Sequence, residues 1–272
     1  MSTVPRFFPV MLVVLFLSGC GKPQHDTLVL TGSSTVAPLI SDLAADFEAL
    51  NPGVRVDVQS GGSSRGLADV RQGTAALGMI SRELRSEESG LQAHVIARDG
   101  ISLLVHARNP VTELSDEQVR RLFRGEIANW QEVTDFDARV SIVHKGEGRA
   151  TLDVFLAYFA LHNRDVKADL IVGENQQGIR SVAGNPGAIG YVSIGSANYE
   201  IAQGVPVKGL AIAGVAPDAT AIAQGDYPLS RNLNLVTQGE LGGLAADFVA
   251  YARSPQAHER IQQHFFTPVV NP

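Results

Sequence analysis

The stretch Val54-Arg55-Val56-Asp57-Val58-Gln59-Ser60-Gly61-Gly62-Ser63-Ser64-Arg65-Gly66-Leu67-Ala68-Asp69-Val70 decides the fold. Val54, Val56 and Val58 alternate with polar residues and stop at Ser60, the period of two that marks a half-buried strand. Gly61 and Gly62 permit a tight turn, Ser63 or Ser64 can cap a helix, and Leu67 and Val70 continue its apolar face. A strand, a glycine-serine turn and a helix start make a cradle for an anion. The free N–H groups of the first helical turn point one way, the positive end of the helix dipole reinforces them, and small hydroxyls add donors.

The same construction lies just upstream. Thr27 to Thr31 reads as a strand, Gly32-Ser33-Ser34-Thr35 as its turn, and Pro38 as an early position of a helix with Leu39, Leu43, Phe47 and Leu50 on its apolar face. A single glycine-serine turn is ordinary loop chemistry. Two of them after consecutive parallel strands fall side by side beyond the carboxyl ends of an open α/β sheet, where such sheets bind ligands.

Gly73 to Ile80 is expected as a short buried strand that delivers Ser81 and Arg82 to the same edge. Arg82, flanked by Glu83 and Arg85, reads either as a solvated ion pair or as a ligand group. The run Ile101-Ser102-Leu103-Leu104-Val105 is apolar but for its serine and could carry a strand from one lobe into another. Ser115 to Phe123 is a helix opened by a capping box, Ser115 with Gln118, with Val119, Leu122 and Phe123 facing the core. Val140 to Val143 is a strand leading into His144-Lys145-Gly146-Glu147-Gly148-Arg149-Ala150-Thr151, the third strand–turn–helix. Its helix turns Leu152, Phe155, Leu156 and Phe159 inward. Cations beside a helix start are electrostatically misplaced unless solvated or unless an anion sits between them and the helix. Glu147 is expected to pair with Lys145 or Arg149.

Further on, Gly178 to Ala183 reads as a helix, Ala188 to Val192 and Lys208 to Ala213 as strands, and Asn232 to Thr237 as a return strand. Leu241 to Ala252 is a helix with Leu244 and Phe248 inward. A last helix is capped by Ser254, has Pro255 at its first position and uses Ala257, Ile261 and Phe265. Strands alternating with helices throughout define an α/β architecture.

The length of 272 residues admits one large domain or two of about 100–150 residues each. A net charge of −6 argues against a nucleic-acid partner. Any anion site must therefore be a local arrangement of donors. Phe7 to Leu17 is almost unbroken apolar sequence, too short for a comfortable membrane span and suited to a signal peptide, and Leu17-Ser18-Gly19-Cys20 follows. Cys20 is the only cysteine of the chain, so it has no internal disulfide partner. The segment resembles the lipobox of bacterial lipoproteins, which implies removal of residues 1–19, a lipid on Cys20 and a tether over 20–26; the alternative is an ordinary cleavage site with a chance cysteine. No Cys/His cluster has metal-ligand spacing and no Gly-Lys-Ser/Thr follows a glycine loop, so neither metal nor cofactor is expected.

The segments Thr31 to Leu39, Gly61 to Gly66, Ser81 to Leu84, Asp99 to Ile101, Leu122 to Trp130, Ala188 to Ser193 and Tyr227 to Arg231 together resemble, in order along the chain, the phosphate-binding proteins of bacterial ABC phosphate importers, in their shorter subgroup. The resemblance implies a type II periplasmic-binding-protein-like fold, two α/β lobes of mainly parallel sheet joined by crossing strands. Lobe I is expected over 27–104 and 232–272 and lobe II over 105–231, closing on an anion in the cleft. Carried over residue by residue, it implies phosphate contacts from Ser34, Thr35, Ser63, Ser64, Ser81, Lys145, Arg149, Ala150 and Thr151, with Glu147 balancing charge or accepting a proton.

The chain departs from the family pattern where Lys145 replaces arginine, Arg149 replaces serine and Ala150 replaces glycine. Ser81 stands where some relatives carry an aspartate. Lysine cannot make the bidentate fork of arginine; Arg149 would either supply that fork from a new direction or block the pocket. The expected function is capture of inorganic phosphate by an exported, lipid-anchored monomer serving an ABC importer permease. The alternatives are another oxyanion, a sensor or adhesin role, or a serine hydrolase. Gly62-Ser63-Ser64-Arg65-Gly66 matches Gly-x-Ser-x-Gly with Ser64 as nucleophile, but no flanking pattern marks His94, His144, His162, His258 or His264 as its base.

Overall fold

A computed structural model describes residues 26–269; the apolar segment 7–17, Cys20 and the tether up to His25 lie outside them. The alternating valines form the edge strand of one half of the molecule. β1 (Asp26–Gly32) leads through the first serine turn into α1 (Ala37–Leu50), and β2 (Val54–Ser60) through the second into α2 (Ser63–Arg71). β3 (Leu77–Ile80) lies on the other side of β1, so β2, β1 and β3 run parallel and all three end at the same edge. Gly32, at φ 134°, lets β1 pass close to β3: a Cβ there would lie 2.2 Å from the Met79 carbonyl oxygen.

β4 (Leu91–His106) is the strand that joins the halves. From Leu91 to Gly100 it pairs antiparallel with β9 (Ser230–Gln238), and from Ile101 to Val105 it pairs antiparallel with β7 (Ala188–Ser193). From Asp99 onward the strand is buried at every residue, which explains the apolar run from Ile101 to Val105 with its single serine. Beyond it come α3 (Asp116–Phe123), β5 (Ser141–Lys145), α4 (Ala150–Tyr158), β6 (Leu170–Val172), α5 (Asn175–Ala183) and, after β7, α6 (Ile194–Ala202), β8 (Val207–Gly209) and α7 (Ala219–Gln224). β7, β5 and β6 are parallel, repeating the arrangement of the first half. After β9, α8 (Gly243–Ala252), α9 (His258–Gln263) and β10 (Thr267–Pro268) return to the first half, where β10 pairs with β4.

The strand order β2-β1-β3-β9-β4-β7-β5-β6 is thus a two-lobed type II arrangement with an antiparallel pair at its centre. Each lobe buries its own core. In the first, Leu30, Leu39, Leu43, Phe47, Leu235 and Phe248 pack together, with Phe47 edge-on to Phe248 at 5.3 Å. In the second, Phe123, Trp130, Phe155, Phe159 and Tyr191 do so, and Phe155 stacks on Tyr191 at 3.8 Å.

The α3 capping box is present as expected, with Gln118 N donating to Ser115 Oγ and Ser115 N to Gln118 Oε1. Several local expectations need correction. Leu50 is 63% exposed, because the last turn of α1 runs past the edge of the sheet. Leu156 and Leu244 are only partly buried. Of the expected Lys208–Ala213 strand only Lys208 and Gly209 belong to β8, which begins one residue earlier, at Val207, and pairs with β4. The final helix opens as a short 3-10 turn, Pro255–Ala257, without a hydrogen bond from the Ser254 side chain. Phe265 takes a left-handed conformation at φ 57°, which turns the chain so that Phe266, not Phe265, enters the core.

Among the described residues no helix is long and apolar enough to cross a membrane, and no group of three His, Cys, Asp or Glu is placed to hold a metal ion.

Candidate functional site

The three strand–turn–helix junctions meet. Ser33, Ser34 and Thr35 before α1, Gly62 and Ser63 at the start of α2, and Ser81 after β3 face Lys145, Arg149, Ala150, Thr151 and Gly173 of the other lobe across one small cavity. Eight of the ten residues assigned to the site from sequence therefore line it: Ser34, Thr35, Ser63, Ser81, Lys145, Arg149, Ala150 and Thr151.

Ser64 and Glu147 do not. α2 already begins at Ser63, with Gly62 rather than a serine at the cap, so the Ser64 side chain turns out to solvent while its N–H donates to the Gly148 carbonyl across the cleft. No histidine contacts Ser64 among the described residues, so the nucleophile geometry is missing. Gly148, at φ 77°, swings Glu147 outward; its carboxylate accepts from Asn163 Nδ2 at 3.4 Å and pairs with neither Lys145 nor Arg149. The carboxylate that meets Arg149 is Glu174, at 2.9 Å.

Behind the cavity stands a group with no local sequence signal. Arg231, on β9, is 2% exposed in its side chain and forms an ion pair with Asp99, which is fully buried on β4. Its Nε and Nη2 donate to Asp99 Oδ2 at 3.1 and 2.8 Å, and the other carboxylate oxygen accepts from Gly195 N at 3.2 Å. The remaining guanidinium N–H groups point at hydroxyls of both lobes: Nη1 to Thr151 Oγ1 at 3.0 Å and Ser81 Oγ at 3.4 Å, Nη2 to Thr35 Oγ1 at 3.3 Å. Asn175 Nδ2 also donates to Thr35 Oγ1, at 3.1 Å.

These contacts fix the polarity of the hydroxyls. A hydroxyl has one proton and two lone pairs. With Arg231 and Asn175 occupying the acceptor sites of Thr35, its own proton must be donated elsewhere. Thr151 accepts from Arg231 in the same way, and Ser81 Oγ accepts from both Arg231 and Ser33 Oγ, the latter at 3.0 Å. Thr35 and Ser81 of one lobe and Thr151 of the other are thus disposed to donate to an acceptor in the cavity they line. The first turns of α1, α2 and α4 add N–H donors.

Charge points the same way. Lys145 is not in the turn; it is the last residue of β5, only 3% exposed. Its Nζ donates to Asn175 Oδ1 at 3.1 Å. Burial lowers its pKa to about 7, Glu174 pulling it back up while Arg231 and Arg149 push it further down. Arg149 caps α4 from an extended conformation, and its side chain packs over Gly62 and Gly173 to reach Glu174. Three cations, Lys145, Arg149 and Arg231, stand against two carboxylates, Asp99 and Glu174. With Lys145 protonated the cavity carries one surplus positive charge, and its hydroxyl and N–H donors suit a small anion, whose charge would in turn hold the proton on Lys145.

A two-lobed scaffold with a donor-lined cleft between its halves defines a class of ligand-binding folds that hold a small molecule between two lobes. The profile of the PBP superfamily domain matches residues 21–256, and the chain belongs to that family. The phosphate-binding protein PstS of Bacillus subtilis (strain 168) is 30% identical over 240 residues, covering 86% of this chain and 78% of that protein. Among solved structures, a Clostridium perfringens protein described as a phosphate ABC transporter substrate-binding protein, with bound phosphate, superposes with a TM-score of 0.84 at 27% identity, covering 90% of this chain and all of the other. An ABC-type phosphate transport receptor from Vibrio cholerae gives 0.74 at 28% identity, over 89% of this chain and all of that one.

Proposed function

We propose that the chain is the solute-binding component of a phosphate ABC importer, capturing inorganic phosphate outside the cytoplasm and delivering it to the permease. The observation that carries this reading is the set of hydroxyls from both lobes whose lone pairs Arg231 and its neighbours fill, leaving donors aimed at one cavity with a surplus positive charge. The names of the relatives support the choice of phosphate. Binding, not catalysis, is the work of such a site: a cavity lined by donors that holds an anion presents no activated nucleophile to it.

In this reading Thr35, Ser63 and Ser81 of one lobe and Lys145, Ala150 and Thr151 of the other contact the anion, Ser34 contributes at the rim, and Arg149 closes the entrance against Glu174. Lobe I comprises residues 27–100 and 231–269, lobe II the residues between. The hinge passes through Gly100 and Ile101, where β4 changes partners, and through the start of β9. Phosphate favours the closed arrangement by touching both lobes at once, and release follows when the permease favours the open one. Residues 1–19 are removed and Cys20 carries a lipid that holds the protein at the membrane surface as a monomer.

Equilibrium dialysis of the purified chain, stripped of endogenous anion by partial unfolding, tests the first claim: saturable uptake of one radiolabelled phosphate per chain is expected, and none would refute it. Metabolic labelling with a radioactive fatty acid tests the anchor, with incorporation expected in the natural chain and lost in Cys20→Ser.

A further inference from the structure

A second polar contact between the lobes lies outside the anion cavity. Arg82, directly after Ser81, is neither the solvated ion pair nor the ligand group that its sequence context suggests: its side chain is 6% exposed. Glu88 of the same lobe holds it by a fork, Nη1 to Oε2 at 2.8 Å and Nη2 to Oε1 at 2.6 Å, and Glu88 is itself fixed by the Arg85 N–H at 2.8 Å. The Arg82 carbonyl accepts from Asn234 Nδ2 at 2.9 Å, which pins the backbone. One guanidinium group remains. Arg82 Nε is buried and has no aligned hydrogen bond, and Asp153 Oδ2 of the opposite lobe lies 3.3 Å from it. Arg85 Nη2 reaches the same oxygen at 2.7 Å.

We propose that Asp153 is a positioning residue for anion binding, drawing α4 of lobe II onto lobe I through Arg82 and Arg85. Asp153 follows Thr151 by two residues on the first turn of α4, so anchoring it brings the N–H groups and hydroxyl of that helix start against the cavity. With the lobes together, two arginines face two carboxylates and the cluster is neutral. With them apart, Arg82 and Arg85 share Glu88 alone, and Arg82 Nε loses its counter-charge. The cluster therefore favours closure whether or not an anion is present, and shortens the step the ligand itself must drive. This inference rests on the two-lobe closure proposed above, but not on the identity of the ligand.

The test uses spin labels at two exposed sites, one per lobe, Leu50→Cys and Ile171→Cys in a Cys20→Ser chain, with the inter-lobe distance read by pulsed electron resonance. The ligand-free protein is expected to show a closed population that Asp153→Asn depopulates and Arg85→Gln reduces. Stopped-flow release of phosphate is expected to speed up about tenfold in Asp153→Asn, with little change in the association rate. Unchanged melting behaviour of both variants separates this from misfolding. Identical distance distributions in wild type and Asp153→Asn would overturn the proposal. Phosphate leaving the wild-type distances unchanged, while Asp153→Asn still opens the lobes, would refute the phosphate reading alone.

Discussion

At Arg231 every guanidinium N–H already has a protein acceptor, so the residue acts on an anion through the hydroxyls it orients and through its field. Removing it exposes how much rests on that arrangement. Arg231→Ala leaves Asp99 buried with only the Gly195 N–H, and loss of one partner of a buried ion pair costs about 3–5 kcal/mol. Denaturant unfolding is expected to show a loss of that size.

Lys145 makes a separate prediction. Its pKa of about 7 lies below that of lysine in the unfolded chain, so between pH 7 and about 10.5 the unfolded chain binds a proton the empty folded protein has given up. The stability of the ligand-free protein should gain a component that rises with pH across that window. A bound dianion restores the ammonium. At pH 8, calorimetry in buffers of different ionisation enthalpy should therefore report uptake of most of one proton per phosphate bound, and Lys145→Met should abolish it.

The helix starts are the elements that matter, and their legibility in the sequence was uneven. Alternating valines, glycine-serine turns and the Ser115 capping box are local signals, and they mark β1, β2 and the starts of α1, α2 and α3, whereas the set of eight cavity residues comes from the family resemblance. Arg231, Asp99 and Asn175 were not assigned, because their roles arise where β9 and β4 cross between lobes and where α5 meets Thr35, more than a hundred residues away in the chain. The Asp99 and Tyr227–Arg231 segments do belong to the family resemblance, which is the one signal that points to them; β9, reading Ser-Arg-Asn-Leu-Asn-Leu-Val-Thr-Gln, is too polar for its arginine to stand out locally. Ser64 and Glu147 failed for a reason of geometry: a shift of one residue in a helix start, or one left-handed glycine, turns a side chain out of the site. Gly62 shows the same sensitivity. It sits at φ 99°, and a Cβ there would lie 2.9 Å from the Gly148 carbonyl of the facing lobe. Gly62→Ala should weaken phosphate binding at least tenfold by holding the lobes apart, and should lower stability by about 1–3 kcal/mol, because φ 99° with ψ 155° is backbone that an alanine scarcely adopts. Titration and melting measured side by side check the pair.

Across the whole molecule, two lobes with separate cores are tied by one antiparallel pair and by polar contacts over the cleft, among them Ser64 to Gly148, Ser60 to Glu174, Asn175 to Thr35, Arg231 to Thr151 and Asp153 to Arg82 and Arg85. These contacts are few and polar, whereas each core is apolar and continuous, so the interface is where the molecule opens at least cost. A net negative protein can therefore hold an anion because the donors are local and shared between halves, not because its surface is basic. The most direct measurement is a crystal structure of the chain grown with phosphate. One tetrahedral anion is expected in the cavity, within hydrogen-bond distance of Thr35 and Ser81 from one lobe and of Lys145 and Thr151 from the other. An anion held by a single lobe, or a cavity left without one at saturating phosphate, would contradict it.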